Sequence, residues 1–352
     1  MIVDKTYCMS SYLMFRAIAD HTKTFAKEIA PSFFRTDTLV REPVRDSADL
    51  HEIIRKYMKK WTVDGKAALA LSGGIDSAIL AKYMPRGSKA YTFQCIVPGV
   101  EVTNEVPEAS RYAEECGLEH EVIPIYWEDF IRFSPTLMKH KGAPMHSIEI
   151  QIYKGALKAK KDGFEKLIFG ETSDINYGGM SQLMSQDWTL GEFIDRYSYV
   201  MPYTAIKDFR VITEPFLPYV DERGYVDVHE FLRNFTLGTS MGSYMNACQT
   251  AGIEMLSPYL LTKLTTPLDL ERVRCGENKY VVREIFNALY PEISIPDKLP
   301  MPRPMHEWLE NWGGPTRPEF WPHCTDNMTG DQKWLVWALE KFLDIIDNPQ
   351  KD

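Results

Sequence analysis

One stretch limits what this chain can become. Ala67-Ala68-Leu69-Ala70-Leu71 is a run of small and apolar residues that leads directly into Ser72-Gly73-Gly74-Ile75-Asp76-Ser77. Ala78, Ile79, Leu80, Tyr83 and Met84 then follow in a helix-like pattern. A short continuous apolar run that stops at a glycine turn reads as a strand buried on both faces of a parallel sheet. The turn then lies at the strand's carboxyl end with a helix N-terminus behind it, an arrangement whose N–H groups suit an anion. Gly73 and Gly74 allow the backbone to approach a phosphate closely and to adopt positive φ. Ser72 and Ser77 add hydroxyl donors, and Asp76 adds a carboxylate that could hold a metal against the same phosphate. No lysine lies inside the loop, so it is not the GxxxxGK[ST] phosphate loop. The plain alternative is a strand-to-helix turn with no ligand.

The pattern around this loop repeats. Strands are expected at 66–71, 89–95, 120–125 and 166–169, and helices at 75–84, 104–116, 126–139 and 147–161. Short apolar strands alternating with amphipathic helices predict an α/β fold, a doubly wound parallel sheet of Rossmann-like kind. Ligands on such sheets bind beyond the carboxyl ends of the strands. Residues 1–60 read as an amphipathic helical segment, with Pro31 to Pro43 as an irregular connector. Residues 61–300 read as the ligand-binding domain. After about residue 185 the strand signals fade into a helical C-terminal half, with helices at 191–209, 227–252 and 277–290. Residues 301–352 read as a Pro- and Trp-rich loop and a last helix, 332–346, packed on that domain.

A second stretch carries chemistry. Phe169-Gly170-Glu171-Thr172-Ser173-Asp174 follows a short apolar strand, and Gly178-Gly179 closes it. If both strands share a sheet, Asp174 emerges near Asp76. Two carboxylates from neighbouring strand ends are what Mg²⁺ needs when phosphate oxygens and water complete its shell. A solvated acidic turn is the competing reading.

Taken together, these residues resemble a known family. The SGGIDS loop resembles the SGGxDS signature of the ATP pyrophosphatases, or PP-loop enzymes, which cleave ATP between the α and β phosphates. With the GE-x-S-D-x-x-x-G-G stretch, Gly252-Ile253-Glu254-Met255-Leu256-Ser257-Pro258-Tyr259, Asn278-Lys279-Tyr280-Val281-Val282-Arg283 and Pro296-Asp297-Lys298-Leu299-Pro300, the order resembles the synthetase domain of asparagine and β-lactam synthetases. The resemblance runs from about residue 40 to 310. It implies ATP and Mg²⁺ as cofactors, with Asp76 and Asp174 holding the metal. It implies that Leu71, Ser72, Gly73, Gly74, Asp76, Ser77, Gly170 and Glu171 contact the nucleotide, and that the strand edge at Phe93 and Gln94 reads adenine. Glu254 is implied near the incoming amine, and Lys279 and Lys298 near the adenylate and departing pyrophosphate. The implied activity is amide formation by an ATP-dependent carbon–nitrogen ligase that adenylates a carboxylate and transfers the acyl group to ammonia or a small amine.

Some features depart from that family. Only about 65 residues precede the loop, so a glutaminase domain is not expected there, and nitrogen would come from solvent or a separate glutaminase subunit. Two rival readings are a PP-loop enzyme that modifies tRNA and a nucleotide-binding regulator without catalysis. Lysines and arginines number 40 against 49 aspartates and glutamates, a net charge of −9, which disfavours nucleic acid as main partner. The six cysteines form no CxxC pair or zinc-like group, a pattern expected of reduced thiols in the cytoplasm. No run approaches the roughly 20 apolar residues of a membrane span. The histidines show no metal-ligand spacing and are expected on the surface or in packing. Trp308, Trp312 and Trp321 are expected in core or lid packing.

Overall fold

The computed structural model describes residues 1–296 and 301–348. At its centre is a five-stranded sheet formed by β1 (Ala67–Ala70), β2 (Lys89–Cys95), β3 (Glu119–Ile125), β4 (Lys166–Ile168) and β5 (Glu254–Leu256). The spatial order is β3-β2-β1-β4-β5, and every neighbouring pair is parallel. The chain winds outward from β1 through β2 to β3, then crosses back to place β4 on the other side of β1. That reversal opens a crevice at the carboxyl ends of β1 and β4. All four residues of β1 are buried, as the apolar run requires of a central strand.

Helices cover the sheet and flank the crevice: α1 (Lys5–Phe15), α2 (Ser47–Thr62), α3 (Ile75–Ala81), α4 (Val106–Cys116), α5 (Trp127–Lys141), α6 (Ile148–Lys161), α7 (Leu237–Ala251), α8 (Tyr280–Leu289) and α9 (Gly330–Asp347). Local chemistry sets several of their ends. Asp46 caps α2 through the Asp49 N–H, and Gly117 ends α4 in the left-handed region at φ 65°. Thr329 and Gln332 form a capping box that starts α9 two residues earlier than expected.

Three departures from the sequence reading have physical causes. The strand β5 was not expected, because three residues are too few to show a period. The helix α1 is buried from Tyr7 through Phe15 rather than on one face, because α9 and Pro202–Ala205 both pack on it. The expected helix at 191–209 breaks into Leu190–Tyr197 and Pro202–Ala205, and that at 227–252 contains a π-helical turn at Leu232–Thr236 leading into α7.

The outer segments join the same core. Glu42–Val44 pairs in parallel with Thr262–Leu264, and Ile2–Val3 with Lys23–Thr24. Buried apolar residues from the start, middle and end of the chain form one contiguous cluster. Trp308 packs on Phe130, with ring centroids 4.9 Å apart, in an aromatic group that also holds Trp127, Trp334 and Trp337. Trp312 is half-buried and Trp321 exposed. Among the described residues no helix is long and apolar enough to cross a membrane.

Candidate active site

The glycine loop is closed by its own serines. The Ser77 hydroxyl accepts the Ser72 N–H at 3.0 Å and lies 2.9 Å from the Ser72 hydroxyl, which accepts the Gly74 N–H at 3.2 Å. Leu71 is pinned from both sides: its N–H donates to the Tyr91 carbonyl at 2.8 Å and its carbonyl accepts the Thr92 hydroxyl at 2.6 Å. Neither Gly73 nor Gly74 uses positive φ. Space is the constraint at Gly73, where a Cβ would sit 3.2 Å from the Cβ atoms of both Glu105 and Glu108.

Beside this loop the crevice contains a cavity of about 850 Å³. The tips of β1 and β4 meet at its base. Gly170 lies so close to the loop that a Cβ there would be 2.8 Å from the Ser77 nitrogen. Asp76 and Asp174 converge on one cation: the Lys279 ammonium is 2.5 Å from Asp76 Oδ2 and 3.0 Å from Asp174 Oδ1. Burial alone would lower the lysine, but the two carboxylates outweigh it and hold its pKa well above the ordinary value. Lys279 reaches this point from the N-terminus of α8 in the left-handed conformation, φ 54°. Thr172, between Glu171 and Asp174, is left-handed too at φ 72°, a strained state for a β-branched residue.

The fit to Mg²⁺ can be judged from these groups. Asp76 Oδ1 is buried and has no hydrogen-bond partner, and an ammonium already occupies the place between the two carboxylates. The residues therefore suit a hard cation with oxygen ligands.

Glu171 faces the same cavity. Its Oε1 accepts the Ser240 hydroxyl at 2.8 Å. Burial raises its pKa, the Ser240 and Tyr244 hydroxyls pull it down, and the Asp174 charge adds to the rise. Ser240 lies on α7, four residues beyond the π turn, a feature frequent where a helix builds a site.

The other expected residues divide. Phe93 lines the cavity with its ring against Gly155, whereas Gln94 is not part of the lining. Lys298 lies outside the described residues. Glu254 does not fit its expected role. It is exposed and pairs in register with Lys166 at the amino end of β4, the end of the sheet away from the loop. Its neighbours in sequence do reach the site: the Ser257 hydroxyl donates to the Glu171 carbonyl at 2.8 Å, and the Tyr259 hydroxyl to the Asp76 carbonyl at 3.0 Å.

Sequence reasoning missed several lining residues. Glu105 is buried against Gly73; burial pushes its carboxyl up to about 7, the Gly73 N–H pulls it down and Glu108 pushes it up. Arg283 was within a quoted motif but unassigned; it lines the cavity and its Nε is buried without a partner. Arg16, His146 and Arg303 also line it, and His146 had been read as a surface or packing histidine. Arg283 could have been found from its motif; the others carry no local signal.

A parallel sheet with a serine–glycine loop and two aspartates meeting at its switch point defines an α/β protein with an anion-suited crevice at the strand ends. Residues 50–317 match the family described as asparagine synthase, and the chain belongs to that family, one of ATP-dependent amide-forming ligases. Solved structures show weaker likeness. An NH3-dependent NAD synthetase from Campylobacter jejuni in complex with nitrate is 14% identical, with TM-score 0.26, over 38% of this chain and 61% of that one. This chain thus spans under two thirds of that protein's length. An NMN synthetase from Francisella tularensis is 13% identical, with TM-score 0.28, over 71% of this chain and 89% of that one. No curated protein matches the sequence.

Proposed function

We propose that this chain is an AMP-forming carbon–nitrogen ligase: it adenylates a small carboxylate with ATP, releasing pyrophosphate, and passes the acyl group to ammonia or a small amine. The observation that carries this reading is the convergence of Asp76, Asp174 and Lys279 beside the Ser72–Ser77 loop. A carboxylate is a poor acyl donor because its leaving group would be oxide. Attack of its oxygen on the α-phosphorus of ATP expels pyrophosphate and turns that leaving group into AMP.

Each residue has a part in that chemistry. The loop N–H and hydroxyl groups bind phosphate oxygens, and the Lys279 ammonium offsets charge growing on the departing pyrophosphate. Asp76 and Asp174 would hold Mg²⁺, which when bound supplies further charge neutralisation at the phosphates. Half-buried Arg283 can bind the same oxygens through its Nε, which is buried and unpartnered. In the second half-reaction the amine attacks the acyl carbon and must lose a proton. Glu171, in the cavity and with a raised pKa, is the carboxyl placed to take it, in the role expected of Glu254. Ammonia from solvent or from a separate glutaminase subunit would serve as nucleophile.

The test is ATP–pyrophosphate exchange with a panel of acids in the presence of Mg²⁺. Asp76→Asn and Asp174→Asn should each abolish exchange while the fold, followed by circular dichroism, stays intact. Exchange at the parent rate in either variant would remove the assignment.

A further inference from the structure

The two aspartates of the site are joined by more than the lysine between their side chains. Tyr259 follows β5 at the start of a short 3₁₀ turn, Tyr259–Leu261, and is fully buried. Its hydroxyl donates at 3.0 Å to the carbonyl of Asp76, which lies in the first turn of α3. Its own carbonyl accepts the Asn176 side-chain amide at 2.9 Å, and Asn176 closes the short helix Ser173–Asn176 that carries Asp174. One residue from beyond a third strand thus reaches both aspartate-bearing segments.

This strut is anchored from outside the site. The Tyr259 carbonyl also accepts the Thr262 hydroxyl at 2.8 Å, and that hydroxyl accepts the Tyr177 hydroxyl at 2.7 Å. Thr262 opens the strand Thr262–Leu264, which pairs with Glu42–Val44. Burial first, then the charge of Asp76, holds the Tyr259 phenol well above its ordinary pKa, so the hydroxyl remains a donor. The segment it holds is compact as well. The Asn176 N–H donates to the Thr172 carbonyl at 3.0 Å, and the Gly179 N–H to the Asp174 carbonyl at 2.8 Å. A shift of Asn176 therefore carries Asp174 with it.

Lys279 meets Asp76 and Asp174 at their carboxylates. Once a divalent cation takes the place of the ammonium, the lysine no longer sets their spacing, whereas the Tyr259 tie holds the Asp76 backbone and remains. Mg²⁺ demands near-ideal octahedral geometry, while Ca²⁺ tolerates a flexible shell. Resting on the metal assignment in the ligase reading above, we infer that Tyr259 is a positioning residue: its hydroxyl and carbonyl fix the spacing of Asp76 and Asp174 so that the pair selects Mg²⁺ over larger divalent cations.

The experiment is calorimetric titration of the full chain with Mg²⁺ and with Ca²⁺, each in the presence of a non-hydrolysable ATP analogue. Tyr259→Phe removes one oxygen and should weaken Mg²⁺ binding by about fivefold and Ca²⁺ binding by less than about twofold. Asn176→Leu cuts the other leg; it should shift the same ratio in the same direction and stands in if the tyrosine variant fails to fold. Tyr290→Phe is the structural control. The Tyr290 hydroxyl also donates to an α3 carbonyl, that of Ala78 at 2.7 Å, but from the end of α8 opposite Lys279. Its loss should lower the melting temperature as Tyr259→Phe does and leave the ratio of Mg²⁺ to Ca²⁺ affinity unchanged. An unchanged ratio in a folded Tyr259→Phe or Asn176→Leu variant, an equal shift in Tyr290→Phe, or no metal binding by the parent chain would overturn the inference. Failure of the ligase reading is separable: it shows as absent pyrophosphate exchange with every acid, while metal selectivity is read without ATP turnover.

Discussion

Gly170 and Asp76 stand in direct backbone contact at the tips of β4 and β1: a Cβ on Gly170 would lie 2.9 Å from the Asp76 Cβ and 3.0 Å from its carbonyl carbon. The two strands bring their carboxylates together only because one of them ends in a glycine. Gly170→Ala must therefore part the strand tips or unfold the loop. We expect it to lower ATP affinity, measured by fluorescence or calorimetric titration, and to destabilise the fold by about 1–3 kcal/mol in chemical denaturation. A variant that binds ATP normally would show that the contact is not needed.

Lys279 is expected to be a structural counter-ion as well as a catalytic group. Removing it in Lys279→Met leaves Asp76 and Asp174 facing each other with no ammonium between them. Loss of one partner from a buried ionic cluster costs about 3–5 kcal/mol, an upper bound here because Asp174 is partly exposed. The melting temperature of the variant should fall, and Mg²⁺ should restore more of it than in the parent, because a cation then replaces the lost ammonium. Differential scanning calorimetry with and without Mg²⁺ reads both effects.

Glu171→Gln should spare ATP–pyrophosphate exchange and slow amide formation, since a neutral amide keeps the Ser240 contact but accepts no proton. Equal loss of both half-reactions would make the residue a nucleotide contact. Glu254→Gln, at the far end of the sheet and exposed, should leave both unchanged.

A pH dependence follows from Glu105. The folded protein holds this proton up to about 7, whereas the unfolded chain releases it near 4.5. The native state binds more protons across that interval, so stability declines as pH rises from about 4.5 to about 7 and is flat above. The full effect is roughly 3 kcal/mol. The ionised carboxylate also faces the phosphate loop, so ATP affinity should weaken through the same interval. Glu105→Gln should flatten both profiles, as followed by urea unfolding and ATP titration across pH.

How much of this was legible beforehand depends on the range of the forces involved. The first four strands, the helices between them, and the pairing of Asp76 with Asp174 follow from period, turn chemistry and motif order. The loop serines occupy the position expected of them, but Gly73 is small because Glu105 and Glu108 crowd it and not because its backbone needs positive φ. Glu254 illustrates the opposite case: a motif marks a segment, but which of its residues reaches the crevice depends on where the strand begins. Here the strand starts at Glu254, so the site meets Ser257 and Tyr259 instead.

Local sequence determined the elements and the phosphate loop, because a buried strand, a glycine turn and a helix cap are decided by residues within a few positions of one another. Only the tertiary structure brought Arg16 from the first helix and Arg303 from the C-terminal loop into one cavity with His146, and set Lys279 between two aspartates that follow neighbouring strands. Those positions depend on burial and charge shared across the folded core, which leave no periodic trace in the order of residues.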